Sequence, residues 1–396
     1  MGTFVLDNGA GLAKAGYSTD SEPKQMVNCV TKAKHIRSRV FVGDQIDDCK
    51  DLSGIFYLLP FQKGYLTNWE IQQQVWNHIF GTDRYKVRFD DTTIIVTEPY
   101  FNFLSIQETM NEVLFEEYQF KAAHRTNAAC LSWYKSKKEE RAQNLCALIV
   151  DSGYSFTHIV PFYNGKKIKG SMRRINVGGK MLTNHLKEII SYRQLMVMDE
   201  SHVMNQCKED VCFVSTDFKQ DMAIAASKGR QNSIARDYVL PDYTHIKRGF
   251  VRSIDESSGK AKGSEQIIRM NNERFQVAEI LFHPSDVGVS EMGVSEAIVH
   301  SINSTPSDMH PHLYKNIVLT GGCCNLPGFR ERVYNDLRSM ACDDFDVNVR
   351  LSEKPGTYAW EGGGVLSKTQ DFSKKIVTRQ QYEEYGQNIC LEKFDV

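Results

Sequence analysis

The sequence has almost no excess of charge of either sign, because 48 lysines and arginines are balanced by 49 aspartates and glutamates. A protein that binds DNA or RNA by its own surface normally contains a strongly basic domain. A polybasic membrane anchor or an acidic tail would also require an excess of one charge. The net charge of −1 therefore predicts no direct sequence-specific nucleic-acid binding and no membrane binding.

Long hydrophobic runs and paired cysteines are also missing. No apolar run approaches the ~18 residues of a membrane-spanning helix, and none of the ten cysteines forms a CxxC pair. We expect these cysteines to be reduced, partly buried thiols of a soluble intracellular protein. The length of 396 residues predicts two or three domains. Because no Pro/Gly/Ser linker divides the chain, these domains are expected to share strands or helices.

Several familiar catalytic motifs are absent. The chain has no GxxxxGK[ST] phosphate loop, and Gly9-x-Gly11 lacks the third glycine and the helix of a dinucleotide-binding fold. No GxSxG nucleophile elbow occurs, and the histidines lack metal-ligand spacing. These absences exclude the most recognisable nucleotide-binding and serine-hydrolase patterns.

Two similar segments are present about 140 residues apart, FVLDNGAGLAKAGY at 4–17 and LIVDSGYSFTHIV at 148–160. Each has an apolar run, then Asp-x-Gly with small residues, then a second apolar run, which is typical of a strand–turn–strand unit. The repetition predicts a duplicated lobe; two unrelated hairpins are the alternative.

Helices are expected between the strands. A third glycine element, at 317–329, predicts a strand, the turn Gly321–Gly322 and a helix with apolar residues every four positions. Apolar residues at 182, 186, 189 and 190 predict another helix, and Ser105 with Glu108 fits a capping box at the start of a third. Alternating strands and helices predict the α/β class.

The glycine turns carry residues that suit a nucleotide triphosphate. Without a Cβ, a backbone N–H can approach a phosphate oxygen closely, and Lys14 would add positive charge. Asp7 and Asp151, one in each copy, are suited to the water shell of Mg²⁺. His158 follows the second turn, where an imidazole could order a water molecule or simply pack. The two hairpins are therefore expected to clamp a nucleotide between two lobes.

The chain resembles actin in six segments that follow one another in the right order across nearly its whole length. They are LDNGAGLAKAGY (6–17), DSGYSFTHIVPFY (151–163), KEDVCFVSTDF (208–218), NERF…EILFHPS (272–285), IVLTGGCCNLPGFRERV (317–333) and WEGG (360–363). The resemblance implies the actin-like ATPase fold, with two lobes and four subdomains around a nucleotide cleft, and Mg-ATP as the ligand. It places lobe I at 1–141, completed by 350–396, and lobe II at 142–349.

The resemblance also implies which residues contact the nucleotide. Asp7, Gly9, Gly11 and Lys14 match the first phosphate loop, and Asp151, Ser152, Gly153 and His158 match the second. Lys208 and Glu209 match contacts to adenosine, and Gly321 with Gly322 matches the adenine platform. Asp7 and Asp151 would hold Mg²⁺ through water.

Four departures from actin concern the reaction. Ala10 replaces a serine at the terminal phosphate, Tyr154 replaces an aspartate at the ribose, and Ser155 replaces a glycine. Ala128 occupies the position of the glutamine that positions the attacking water, and a methyl group can neither accept nor donate a hydrogen bond. We therefore expect nucleotide binding with weak or absent hydrolysis, and we assign no catalytic residue.

Filament formation is not expected. The stretch from Pro23 to Gly43 is about eight residues shorter than in actin, which removes most of the loop that grips the next subunit. In the opposing plug, Asp286 stands where actin has an aromatic residue. An unpaired carboxylate is costly to bury at a subunit contact.

Further segments are similar to the nuclear subfamily of actin-related protein six. They are 59–69, 97–103, 114–120, 151–161, 176–195, 237–250 and 381–386. This similarity implies a structural subunit of the chromatin-remodelling complex that exchanges a standard core histone for its Z-type variant. It also implies a heterochromatin or nucleolar association and a nuclear location with some cytoplasmic protein. The implied partners are the remodeller ATPase, a small zinc-finger subunit and, indirectly, the nucleosome.

Other interpretations remain at this point. The residues at 227–265 are rich in Lys, Arg and Ser and are either a partner surface or a surface insertion without a partner. The main alternative function is an active ATPase or a cytoskeletal actin-like protein. A sugar kinase would need a catalytic base and a sugar pocket, and a heat-shock chaperone would need a peptide-binding domain; the sequence indicates neither.

Overall fold

The computed structural model describes residues 2–33, 40–49, 55–81, 83–140, 144–252, 263 and 265–396. Some segments singled out in the sequence therefore lie partly outside the described residues. They are 34–39 in the shortened loop, 141–143 at the predicted lobe boundary, and 253–262 with 264 in the stretch 227–265.

The strands in the described part of the chain are mostly short. They are β1 (Gly2–Asn8), β2 (Leu12–Tyr17), β3 (Lys24–Val27), β4 (Val30–Ala33), β5 (Val40–Val42), β6 (Ile55–Leu58), β7 (Phe61–Gln62), β8 (Tyr65–Leu66), β9 (Thr92–Thr97), β10 (Ala122–Thr126), β11 (Cys146–Ser152), β12 (Thr157–Tyr163), β13 (Lys166–Lys167), β14 (Arg173–Ile175), β15 (Arg236–Val239), β16 (Phe250–Val251), β17 (Ile267–Met270), β18 (Ile317–Thr320), β19 (Val349–Leu351) and β20 (Val377–Thr378).

The α-helices alternate with these strands. They are α1 (Trp69–Phe80), α2 (Leu104–Glu112), α3 (Ala128–Glu139), α4 (Gly179–Arg193), α5 (Ser201–Val211), α6 (Phe218–Ala226), α7 (Glu273–Glu279), α8 (Val294–Asn303), α9 (His310–Tyr314), α10 (Phe329–Met340), α11 (Tyr358–Leu366), α12 (Phe372–Lys375), α13 (Arg379–Tyr385) and α14 (Gln387–Lys393). The predicted α/β class is confirmed.

Two larger sheets repeat the same local arrangement. The first has the order β20-β10-β9-β1-β2-β3, and the second has the order β13-β12-β11-β18-β19 with β14 beside β12. In each sheet a hairpin is antiparallel, and its first strand also pairs in parallel with a later strand: β1 with β2 and β9, β11 with β12 and β18. The predicted strand–turn–strand units at 4–17 and 148–160 are thus both present, and each belongs to a sheet of its own.

A separate helix pair lies against both sheets. Helix α3 packs on α11, and α11 also contacts β1 while α3 contacts β11. Val5, Ile95, Leu131 and Trp360 are fully or almost fully buried in this cluster. The two sheets are therefore connected through closely packed helices.

The helical periodicities in the sequence are confirmed at α4 and α10, which bury the expected apolar residues except Ile189, which is half-buried. The predicted capping box at Ser105 is wrong. Helix α2 begins at Leu104 with Phe103 as its N-cap residue, and the Phe103 carbonyl accepts the first helical hydrogen bonds from Ile106 and Gln107. Ser105 therefore lies inside the first turn, where its side chain cannot cap.

The reduced, partly buried thiols expected from the sequence are present. All ten cysteines lie among the described residues and are thiols, and only Cys342 is exposed. Within the described ranges, no helix combines the length and the apolar character needed to cross a membrane.

Candidate functional site

Asp7 is fixed at the end of β1 by two partners. Its Oδ2 accepts a hydrogen bond from Lys14 Nζ at 2.9 Å, and its Oδ1 accepts one from Thr97 Oγ1 at 2.7 Å. The pairing of β1 with β2 places Asp7 opposite Lys14, and the parallel pairing with β9 brings the Thr97 end of that strand alongside. The carboxylate is therefore buried, oriented and beside a positive charge.

Asp151 holds the equivalent place at the end of β11. Burial and, to a smaller extent, the negative charge of Asp7 raise the pKa of its carboxyl to about 6, against the opposing effect of Lys14. The two predicted metal carboxylates thus lie close enough for one to disfavour ionisation of the other. A divalent cation between them would relieve this repulsion.

The two carboxylates suit Mg²⁺, which keeps several waters, better than a metal ion whose ligands are all protein side chains. Among the described residues, no group of three or more His, Cys, Asp or Glu side chains could hold an ion directly. Mg²⁺ commonly keeps several waters and takes one or two carboxylates. Asp7 and Asp151 therefore fit the predicted water-mediated role.

The third glycine element touches the second turn. Gly321 has φ +92°, and a Cβ there would lie 2.3 Å from the Ser152 carbonyl oxygen and 2.6 Å from Asp151 Oδ1. Only glycine can occupy this position without strain or a clash. A Cβ at Gly322 would meet no atom within 4 Å, so the surface predicted to support an adenine ring is open.

The second turn is held mainly through its backbone. The Gly153 carbonyl accepts hydrogen bonds from Gly179 N at 3.0 Å and from Cys323 Sγ at 3.2 Å. The Ser152 hydroxyl is buried and shares a 2.9 Å hydrogen bond with Thr157 Oγ1. Its side chain therefore stabilises the hairpin.

Lys208 and Glu209 lie side by side on α5 but in different surroundings. The Lys208 ammonium is buried and donates to Gly179 O at 3.1 Å, Thr183 Oγ1 at 2.9 Å and Asn205 Oδ1 at 2.8 Å. An ammonium has three donors, so these three acceptors can use all of them, and Lys208 ties α5 to α4. Glu209 is exposed and accepts from Asn205 at 2.8 Å.

Tyr154 lies between the two turns. A Cβ built on Gly11 would be 2.7 Å from Tyr154 Cγ and 2.9 Å from its Cδ2, so the tyrosine side chain packs directly on the Gly11 backbone. Burial raises the pKa of the Tyr154 hydroxyl, and the nearby Cys29 thiol adds to the shift. The residues that would hold Mg²⁺ thus fit a nucleotide, whereas the approach to Gly11 does not fit one while this side chain remains there.

The imidazole of His158 is buried near the second turn. Its ring lies 5.1 Å from that of Tyr100 and 5.4 Å from that of Phe156, and burial lowers its pKa to about 3, with the charge of Arg174 adding to the shift. Its Nε2 is buried and has no hydrogen-bond partner among the described residues. A neutral imidazole of this kind can accept a hydrogen bond from water.

Of the remaining departures from actin, Ala10 and Ala128 carry no polar side chain, and Ser155 carries a hydroxyl. Ala10 is half-buried against the core of the first lobe. Ala128 begins α3 and packs in the helix cluster between the sheets. Ser155 is half-buried in the turn between β11 and β12. A base that could orient an attacking water is not supplied at any of these three positions.

A buried amide cluster beneath the first turn was missed by sequence reasoning. Asn28 Nδ2 lies 3.0 Å from the Gly9 carbonyl and 3.1 Å from Asn8 Oδ1, and Gln72 Nε2 donates to Asn28 Oδ1 at 3.1 Å. Trp76 Nε1 donates to Asn8 Oδ1 at 3.3 Å. The only sequence signal is Gln72, a polar residue at a core position of the amphipathic helix α1.

Comparison with known proteins shows similarity along the whole chain. A family model described as Actin matches residues 1–395. A protein named Actin-related protein 6 from Drosophila melanogaster is 46% identical over 386 residues, which cover 96% of this chain and 97% of that protein. Proteins of the same name from Oryza sativa subsp. indica and Arabidopsis thaliana are 36% and 34% identical, over 99% and 98% of this chain and 98% of each relative.

Proposed function

Because the chain belongs to the actin family, has the actin fold and is similar to relatives named Actin-related protein 6, we propose that it is a structural subunit of a nuclear chromatin-remodelling complex. In that complex it holds the remodeller ATPase and a small zinc-finger subunit, and it supports exchange of a standard core histone for its Z-type variant. It would regulate transcription and the organisation of chromatin, including heterochromatin. It is proposed to act in the nucleus, with some protein in the cytoplasm.

The observation that supports a scaffold role best is an exposed apolar patch in the last turn of α4 and just after it. Tyr192 is 92% exposed, Met196 79% and Met198 42%. Contiguous exposed apolar side chains mark contact surfaces, and methionine adapts well to the shape of a partner. The net charge of −1 supports a protein that reaches the nucleosome through such partners instead of through DNA.

Changing this patch is expected to weaken partner binding. In Tyr192→Ser/Met196→Ser, recovery of the remodeller ATPase from nuclear extract should fall at least about 10-fold, because central aromatic anchors carry much of an interface's energy. The assay is capture of the tagged chain followed by quantitative mass spectrometry. The matched control is Tyr163→Ser/Met340→Ser, which changes one tyrosine and one methionine of 44% exposure each elsewhere on the surface.

The control double variant should recover the same subunits as the unmodified chain. Both variants should melt within a few degrees of it, since isolated surface changes are usually worth less than about 0.5 kcal/mol. Equal recovery by the patch variant and the control would contradict a partner-binding role for Tyr192 and Met196. Failure of the unmodified chain to recover any remodeller subunit would contradict the proposed function itself.

We further propose that Mg-ATP is a ligand that stabilises the closed cleft and is not turned over. Asp7, Asp151 and Lys14 would contact its metal and phosphate end, and Gly321 with Gly322 would face its base. When bound, Mg-ATP would supply negative charge and a divalent cation that Asp7 and Asp151 would hold through water. Ala128 would leave the attacking water without the side chain that orients it, and Ala10 would remove a contact to the terminal phosphate.

This role predicts little phosphate release and no filaments. The purified chain with Mg-ATP should release phosphate at the background rate, and it should remain in the supernatant after centrifugation in polymerising salt. The short 3₁₀ turn Pro284–Val287 supports this, because it leaves Asp286 exposed at the surface predicted to contact the next subunit. With a conventional actin as the positive control, phosphate release at the actin rate would favour an active ATPase. A salt-dependent pellet would favour a cytoskeletal protein.

A further inference from the structure

The side chain of Tyr154 connects the two lobes across the cleft. Its backbone belongs to the second lobe, where its carbonyl accepts a hydrogen bond from Lys180 N at 2.8 Å, at the start of α4. Its Cγ and Cδ2 lie against Gly11 of the first lobe, as their distances of 2.7 and 2.9 Å from a Cβ built there show. The side chain thus extends from an anchored turn onto the turn that faces it.

The surroundings of Tyr154 are closed on the side of the first lobe. Cys29 is fully buried, and burial raises the pKa of its thiol to about 12. The neighbouring Asn28 N donates to the Gly11 carbonyl at 3.0 Å, so this segment backs the same turn. Tyr57, on β6, lies close enough to Tyr154 and Cys29 for both to contribute to its raised pKa. Protein atoms of the first lobe therefore lie against one side of Tyr154, which is half-buried.

A phosphate that approaches Gly11 needs the space that Tyr154 occupies. Glycine turns bind phosphates because the absence of a Cβ leaves the backbone N–H groups accessible. At Gly11 that access is taken by carbon atoms of the tyrosine, which offer a phosphate no hydrogen bond. The carboxylates of Asp7 and Asp151 remain beside Lys14, so the metal end of the site is retained while the phosphate approach is covered.

We propose that Tyr154 keeps the cleft closed in the absence of nucleotide and must leave Gly11 before a nucleoside triphosphate can bind. The closed arrangement is then maintained by a side chain of the protein itself. Nucleotide affinity is reduced by the free energy needed to displace the ring, as for any ligand whose binding-competent state is a minor one. This inference rests on the proposed nucleotide site and adds the residue that controls access to it.

The test measures binding of a fluorescent ATP analogue, 2′(3′)-O-(N-methylanthraniloyl)-ATP, with Mg²⁺ to the full chain. Tyr154→Ala should bind at least 10-fold more tightly than the unmodified protein, because no ring must be displaced. Tyr154→Phe keeps the ring and should bind like the unmodified protein. Tyr163→Ala is the matched control: Tyr163 ends the second strand of the same hairpin, is 44% exposed and should not affect the affinity.

A second measurement does not depend on nucleotide. Cys29 should react faster with iodoacetamide in Tyr154→Ala than in Tyr154→Phe, as followed by mass spectrometry, because removal of the ring opens the cleft above it. Exposed Cys342 serves as the internal reference in every variant. Faster labelling confined to Cys29 also shows that the variant is folded, since a misfolded chain would expose the other buried cysteines.

The outcomes separate this inference from the nucleotide site on which it rests. Equal affinities of the unmodified protein and Tyr154→Ala would overturn the inference and leave the nucleotide site standing. Absence of binding by both would overturn both proposals. Unchanged Cys29 labelling in Tyr154→Ala would show that the cleft is closed by other contacts, and this would also overturn the inference.

Discussion

Gly362→Ala is expected to lower the free energy of unfolding by about 3 kcal/mol or more, at the upper end of the usual range for overpacking. A Cβ at Gly362 would lie 1.9 Å from the Leu131 carbonyl oxygen and 2.4 Å from its carbon. Both atoms belong to the backbone of α3, so no side chain can rotate to make room. The clash would separate α3 from α11, the helix pair that lies against both sheets.

The same helix offers the matched control. A Cβ at Gly364 would have the Ser18 carbonyl oxygen at 3.6 Å as its nearest neighbour, which is an ordinary contact distance. Gly364→Ala should therefore raise the stability by up to about 1 kcal/mol, since alanine is a better helix former than glycine. Urea unfolding followed by far-UV circular dichroism measures both variants. Equal stabilities of the two would show that α3 and α11 are not in close contact at Gly362.

Acidification from pH 7 to pH 4 is expected to remove about 4 kcal/mol of stability, chiefly through two buried histidines. Burial lowers the pKa of His124 to about 4 and that of His158 to about 3, from an ordinary value of 6.5. A base whose folded-state pKa is depressed stabilises the fold above its unfolded pKa, and this contribution is lost as the pH falls. Each histidine would cost about 3 kcal/mol at pH 4, at about 1.4 kcal/mol per unit of pKa shift.

Asp151 acts in the opposite direction over the same interval. Its folded-state pKa of about 6 lies above the unfolded value of 3.8, so its protonated form is favoured in the folded state. As the pH falls from 7 to 4, protonation of Asp151 raises the free energy of unfolding by about 2 kcal/mol. The two histidines together exceed this gain, and stability should therefore decline on acidification.

The measurement is the free energy of unfolding in urea between pH 7 and pH 4. His124→Asn should reduce the decline from about 4 to about 1 kcal/mol, since the contribution of one shifted imidazole is removed. The asparagine amide can still donate to the Lys375 carbonyl that His124 Nδ1 contacts at 3.0 Å. The control is His245→Asn, because the side chain of His245 is 84% exposed. If the His124 and His245 variants give the same pH dependence, His124 is not buried in its neutral form.

Local features of the structure follow closely from the sequence. The apolar residues of α4 and α10 recur at helical spacing, and the Asp-x-Gly turns at Asp7 and Asp151 are each flanked by two apolar runs. Such patterns depend on residues only a few positions apart, and this is why they can be recognised in one sequence. The start of α2 was predicted wrongly because Ser105 and Glu108 satisfy a local rule while the backbone already turns into the helix at Phe103.

The candidate site was predicted in part. Asp7, Lys14, Asp151 and Gly321 come together as their motifs indicate. The three hydrogen bonds of Lys208 could not be predicted, because they depend on how α5 lies against α4. The amide cluster of Asn8, Asn28 and Gln72 likewise joins residues from three separate parts of the chain.

The sequence by itself determined the two strand–turn–strand units, the resemblance to actin and the near-zero net charge that argues against direct DNA binding. Only the tertiary structure decided that the charge of Asp7 acts on Asp151 and that the side chain of Tyr154 lies on Gly11. The physical reason is distance along the chain. Turn and strand preferences act within a few residues, whereas a contact between turns about 140 positions apart depends on how two separately folded sheets pack across their shared helices.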